Sequence, residues 1–178
     1  METILDGTVR AVGGRFDVSF ERHFDAPLER LWAAVSEPEL LEGWLGGPVD
    51  ELELAEGGNV VIQIHPAGPA TVYGKVLRVE PLKVLELTWD VPAWRNVPDF
   101  FGTIMRWEVR PDGDGSKLIL IHSLPADTAW HVHAMLGAWH LHLDALPATL
   151  AGEPIPRFAE QDFFGMREKY AEFVGPVQ

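Results

Sequence analysis

One segment near the C-terminal end of the sequence, from Asp127 to Leu150, is much longer than any other regular pattern in the chain. As a helix it would extend roughly 36 Å, whereas a strand of six residues extends only about 20 Å. Such a helix can cross a whole sheet diagonally. Pro147 predicts a kink or break in it, because an interior proline removes a hydrogen bond and collides with the preceding turn. Its apolar side is predicted to comprise Val132, Met135, Leu136, Trp139, Leu143, Leu146 and Leu150.

The residues before this segment form a series of strand patterns separated by turn residues. Phe16–Phe24 alternates apolar and polar residues, and Thr8–Val12 is a candidate hairpin arm before it. Two short helices follow, the first near Pro27 and the second with Ser36 as its predicted cap. Glycine, proline and aspartate then mark short turns, which favour antiparallel pairing. The later strands are predicted at 49–54, 60–64, 72–79, 84–91, 103–109 and 117–123.

These patterns together predict an α+β protein with a helix-grip fold. A curved antiparallel sheet of about seven strands wraps around the long C-terminal helix, and two short helices follow the first strand. Residues 1–152 are predicted to form this domain, and residues 153–178 a C-terminal extension whose short helix packs on it. Ile119 and Ile121 make the outer face of the last strand apolar. Large apolar patches are rarely exposed, so the tail residues Phe163, Phe164 and Tyr170, or a second subunit, are expected to cover them.

Composition excludes several classes of function. The chain has no cysteine, which removes thiol catalysis and thiolate metal sites and favours a reducing compartment, the cytoplasm. The formal net charge of −13 argues against binding to nucleic acid or to anionic membranes, and no stretch is long and apolar enough to cross a membrane. No lysine or arginine occurs between Arg30 and Lys75, so this acidic stretch is either a solvated face or a docking surface for a basic partner.

The histidines and serines do not form a catalytic or metal-binding pattern. His131 with His133, and His140 with His142, are two residues apart, which on a helix puts the members of each pair about 200° apart. No metal and no cofactor are therefore expected. No serine lies in a strand–turn–helix elbow, so no catalytic residue is assigned. His122 is the best candidate for acid–base chemistry, with a buried histidine satisfied by the backbone as the alternative.

Large apolar side chains converge between the predicted sheet and the long helix. Such a gap is either filled by side chains or occupied by a ligand. The loop Pro92–Phe101, which is rich in aromatic residues, is expected where a cavity would open. The predicted ligand-binding residues are Leu87, Trp89, Trp107, Leu120, His122, Met135, Trp139 and Leu143.

The order of elements resembles the START-like (SRPBCC) superfamily of START lipid-transfer domains, polyketide cyclases and the birch pollen allergen. Within it, the sequence is most similar to the family named after the activator of the heat-shock protein ninety ATPase. The eukaryotic co-chaperone of that name needs a further N-terminal domain, and 178 residues are not expected to include one. The resemblance rests on an ordered set of segments: Phe20–Pro27, Leu31–Trp32, Ser36–Leu41 with Trp44, Gly57–Gly58, Tyr73–Val76, Lys117–Ser123 and Gly137–Leu146.

Three functions are compatible with these features. The leading hypothesis is binding of a small hydrophobic molecule without catalysis. An enzyme of the cyclase or aromatase type is the first alternative, and a chaperone-linked interaction protein is the second. The expected partners are a small apolar molecule and, if the outer sheet face needs cover, a second copy in a homodimer.

Overall fold

In a computed structural model of the protein, residues 4–64, 70–93, 97–127 and 129–177 are described. They form one curved antiparallel sheet of eight strands with four helices, which confirms the predicted helix-grip architecture. The sequence predicted about seven strands, and the additional one is the hairpin arm Thr8–Val12. The strands are β1 (Thr8–Val12), β2 (Arg15–Phe24), β3 (Val49–Leu52), β4 (Asn59–Ile64), β5 (Ala70–Glu80), β6 (Val84–Thr88), β7 (Ile104–Asp112) and β8 (Gly115–Pro125).

The strand order in the sheet is β1-β2-β8-β7-β6-β5-β4-β3, so β2 pairs with β8 and every other contact is between strands consecutive in sequence. The helices are α1 (Leu28–Ser36), α2 (Pro38–Leu45), α3 (Ala129–Ala151) and α4 (Glu160–Val174). α1 and α2 connect β2 to β3, and α3 packs against β2, β8 and both short helices. No helix in the described ranges is long and apolar enough to cross a membrane.

Alternation along β8 determines which side chains enter the core. Leu118, Leu120 and His122 are fully or almost fully buried, while Ile119 and Ile121 between them are half-buried on the outer face. The tail does not cover these two isoleucines, because α4 packs on α3 instead, so the expected cover by the tail is wrong and cover by a second subunit stays a prediction. Ile119 lies in register with Glu21 and Glu108, and Ile121 with Ser19 and Arg106. The stems of such long charged side chains shield apolar surface while their charged ends stay in water.

Two local predictions also differ from the structure. α3 continues for one turn beyond Pro147 and ends at Ala151, so the helix does not break there. Ser36 does not cap α2: it is the last residue of α1, and its hydroxyl donates to the carbonyl oxygen of Trp32. Pro38 occupies the first position of α2, which makes Glu37 the N-cap residue.

α3 is buried on two sides, and this explains why its sequence is apolar around most of its circumference. One side faces the sheet, and the other faces α4, which crosses it closely at Gly137. A Cβ atom at Gly137 would lie 2.8 Å from the backbone nitrogen of Arg167, so only glycine permits this approach. His133 and His140 lie on the α4 side, where they contact Gly175 and Tyr170, whereas His131 and His142 lie on the other side.

Candidate functional site

The space between the sheet and α3 is filled mainly by four tryptophans. Trp44 from α2, Trp89 after β6, Trp107 from β7 and Trp139 from α3 are all at most 2% exposed. Their ring centroids are 5.3 to 6.4 Å apart in five of the pairings, at tilted or edge-to-face angles typical of stable aromatic contacts. The side chains therefore occupy most of the volume in which a ligand was expected.

A small cavity remains at one end of this cluster. Its free volume is about 20 Å³, enough for roughly one water molecule, whereas a cavity that binds benzene measures about 150 Å³. Its wall is almost entirely apolar and consists of Ile64, Trp89, Val97, Phe100, His131, Ala134, Met135, Ala138, Trp139, His142 and Phe163.

Of the eleven described residues in this wall, six belong to α3. His131, Ala134, Ala138 and His142 follow one another at three- and four-residue steps, the spacing of a single helical stripe. The two alanines carry no atom beyond Cβ, so no long side chain of α3 extends into the cavity at these two positions. The cavity exists at this point because the neighbouring large side chains do not reach across the gap.

Three of the eight predicted ligand-binding residues line the cavity, namely Trp89, Met135 and Trp139. Leu87, Trp107, Leu120 and Leu143 are buried in the hydrophobic core, and the structure does not place them at the cavity wall. His122 lies behind the wall in contact with Trp139. The alanines and Phe163 were not predicted.

The loop expected at the cavity mouth is only partly at the wall. Val97 and Phe100 line the cavity, and Phe100 pairs with Val91 through a β-bridge. Trp94, Arg95 and Asn96 of the same loop lie outside the described residues. His131 packs against Phe100 at 5.0 Å between ring centroids, and burial lowers the pKa of His131. A neutral imidazole is thus the main polar group at this end of the cavity.

His122 is the centre of a directional chain of hydrogen bonds. The Trp139 indole donates to His122 Nδ1 at 3.1 Å, and because an indole can only donate, Nδ1 accepts and Nε2 carries the proton. Nε2 then donates to Thr103 Oγ1 at 2.9 Å, and the Thr103 hydroxyl donates to the carbonyl oxygen of Trp89. Both ring nitrogens are used within the protein.

Burial and the positive charge of Arg15 lower the pKa of His122 to about 3. A group with this pKa is neutral near pH 7, and a proton added at Nδ1 would oppose the Trp139 N–H. His122 therefore positions Trp139 against the sheet, and it does not present a ring nitrogen to a bound molecule. This geometry corresponds to the predicted alternative of a satisfied core histidine, although the partners are side chains rather than backbone.

A second polar cluster lies where α3 meets β2 and α4, away from the cavity wall. Arg22 makes a bidentate ion pair with Asp6 at 2.7 and 2.9 Å and a further pair with Asp144 at 2.7 Å. Burial opposes ionisation of Asp6, but hydrogen bonds from His140 and Arg22 outweigh it and bring its pKa well below the usual range. The Tyr170 hydroxyl accepts the Gly7 N–H at 3.0 Å, and burial raises its pKa to about 12. This cluster joins the N-terminal segment to α4.

No group of three or more histidine or acidic side chains within the described ranges could bind a metal ion. The fold and the site thus define an α+β helix-grip domain with a small apolar cavity between sheet and long helix. Residues 25–151 match the model of the family described as Activator of Hsp90 ATPase homolog 1-like protein. The match covers more than half of the chain, and the protein belongs to this family.

Solved structures share this fold over nearly the whole chain. CalU16 from Micromonospora echinospora is 22% identical with a TM-score of 0.68, and the alignment covers 95% of this chain and 96% of CalU16. A protein from Bordetella parapertussis is 24% identical with a TM-score of 0.67, covering 94% and 90% of the two chains. DynU16, a protein of the dynemicin biosynthetic locus, is 19% identical with a TM-score of 0.67 over 82% of this chain and 51% of its own. No functionally curated protein matches the sequence significantly.

Proposed function

We propose that the protein binds a small, planar apolar molecule in the cavity between the sheet and α3. The observation that carries this proposal is the position of Ala134 and Ala138. They are one helical turn apart and face a wall that includes the rings of Trp89, Phe100 and Phe163. Aromatic rings surrounding a gap with few polar atoms favour a flat apolar ligand over a polar one.

Binding requires the cavity to enlarge, because its present volume is far below that of an aromatic ring. Two parts of the wall are suited to this. Met135 has an unbranched, flexible side chain that can repack around a ligand. Phe163 belongs to α4, a separate element that can shift relative to the sheet without breaking a strand pairing. The ligand is therefore expected to displace these two side chains.

The family and one of the similar structures are consistent with this proposal. The superfamily that the sequence resembles includes domains that carry lipids and other small molecules. DynU16, which shares the fold, comes from a biosynthetic locus. Location in the cytoplasm, a homodimeric state and the domain boundary at residue 152 remain predictions from the sequence.

Fluorescence titration with N-phenyl-1-naphthylamine tests the proposal, since this neutral dye emits strongly only in apolar surroundings. The native protein should bind it saturably. Ala138→Val adds two carbon atoms at the cavity wall and should weaken the affinity at least tenfold. Ala151→Val makes the same change at an exposed position of the same helix and should leave the affinity unchanged. If the dye does not bind, or if both variants bind it equally well, the cavity is not a binding site and the interaction-protein alternative takes its place.

A further inference from the structure

A groove on the surface lies directly outside the cavity, between the end of α2, the second half of α3 and residues 155–158. Its volume is about 520 Å³, and its lining includes Trp44, Ala145, Ile155 and Phe158. Unlike the cavity, it is open to solvent and large enough for an aromatic molecule. Neither the proposed function nor the family assignment gives it a role.

The rings of His142 and Phe158 connect the cavity wall to the lining of the groove. His142 lines the cavity, and its ring centroid lies 5.6 Å from that of Trp139 on the inner side and 5.3 Å from that of Phe158 on the groove side. His142 Nδ1 is 2.9 Å from the carbonyl oxygen of Trp44, a residue that lines the groove. The imidazole of His142 therefore lines the cavity and packs against Phe158 and Trp44, two residues that line the groove.

The two rings differ in how firmly they are placed. His142 is 2% exposed and comes from the middle of α3, so it moves only with the helix or by rotating away from Trp44. Phe158 is half-buried and precedes α4, in a segment without regular secondary structure. A rotation of the Phe158 side chain into the groove would uncover His142 without breaking any backbone pairing.

We propose that the groove is the entrance to the cavity and that Phe158, packed on His142, is the side chain that opens and closes it. This inference rests on the proposed function, because an entrance matters only if small molecules reach the cavity. In this proposal, small molecules enter the cavity from the side of α3 that faces α2. The competing route runs past Phe100 and Phe101, at the loop that the sequence suggested as the cavity mouth.

The absence of cysteine permits a test that does not depend on a ligand. Ala138→Cys introduces a single thiol at the cavity wall, and its rate of reaction with methyl methanethiosulfonate measures access for small molecules. Phe158→Ala in this background should increase the reaction rate at least tenfold, and Phe158→Trp should decrease it. Phe101→Ala, which removes an exposed ring at the competing route, should leave the rate unchanged.

A third variant controls for general loosening of the C-terminal segment. Tyr170→Phe removes the hydroxyl that contacts Gly7 and His140, and it weakens the attachment of α4 without touching the groove. If it accelerates labelling as much as Phe158→Ala does, or if only Phe101→Ala accelerates labelling, the groove is not the entrance. The dye titration of the unlabelled protein remains separate, so failure of binding and failure of the entrance give different results.

Discussion

Lowering the pH from 7 to 5 should destabilise the folded protein through His122. The pKa of this side chain is about 3 in the folded state, against 6.5 for the unperturbed group expected in the unfolded chain. Between these values the unfolded state binds more protons than the folded state, so stability decreases as the pH falls. The contribution of neutral His122 to the free energy of unfolding is therefore complete above pH 6.5 and is lost progressively toward pH 3.

The magnitude follows from the difference in proton binding. Each pH unit below 6.5 costs at most about 1.4 kcal/mol, which gives a loss of about 2 kcal/mol by pH 5 from this residue. Burial also lowers the pKa of His131, so this residue too makes the free energy of unfolding decrease as the pH falls. Asp6 does not contribute in this window, because its lowered pKa affects stability only below about pH 4.

Urea unfolding at pH 5, 6 and 7, followed by far-UV circular dichroism, measures this effect. His122→Phe is less stable at pH 7, because Trp139 and Thr103 lose their partner, but its stability should change less between pH 7 and pH 5. His23→Gln serves as a control of opposite sign. Hydrogen bonds that His23 donates to Asp112 and Asp25 raise its pKa, so protonated His23 stabilises the fold. Its removal should therefore increase the loss of stability between pH 7 and pH 5. Equal losses in wild type and His122→Phe would show that His122 is not a neutral core residue.

Two further predictions concern packing. Trp107→Ala should cost about 3 to 5 kcal/mol, the full penalty for a core aromatic, because Trp107 is enclosed by three other indoles. The same unfolding assay on the exposed Phe173→Ala should show a change within about 0.5 kcal/mol, and a similarly small cost for Trp107→Ala would contradict the tight cluster. Gly137→Ala should cost on the order of 1 to 3 kcal/mol, since the new Cβ collides with the backbone of α4. Gly165→Ala on α4, where the added Cβ meets open space, should be neutral or stabilising, and equal effects of the two changes would argue against close contact at Gly137.

The fold could be predicted because strand parity and turn residues are local properties of the sequence. The alternation Leu118, Leu120, His122 assigned the inward side chains of β8 correctly, and the length of α3 indicated that it packs across the sheet. Of the kink or break expected at Pro147, the break is wrong, because α3 continues through the proline to Ala151, and the kink stays a prediction. One turn of helix follows the proline, whose side chain is exposed to solvent.

The candidate site was harder to predict because it depends on distances between elements. Trp107 and Leu120 have the parity of cavity residues, but they lie deeper in the core than the cavity. Phe163 reaches the wall only because α4 folds back onto α3, and nothing local in the sequence indicates that placement. One signal was readable. The steps from His131 through Ala134 and Ala138 to His142 follow a single helical stripe, and its small residues mark a gap.

Burial of α3 on two sides has a consequence for how the chain is made. During synthesis the sheet and α3 emerge before α4, so the side of α3 that α4 will cover is exposed to water until the last helix has formed. An apolar surface uncovered in this way favours aggregation of partly made chains. Variants that weaken the contact at Gly137 are therefore expected to reduce the yield of properly folded protein in cells more than their equilibrium stability alone would indicate.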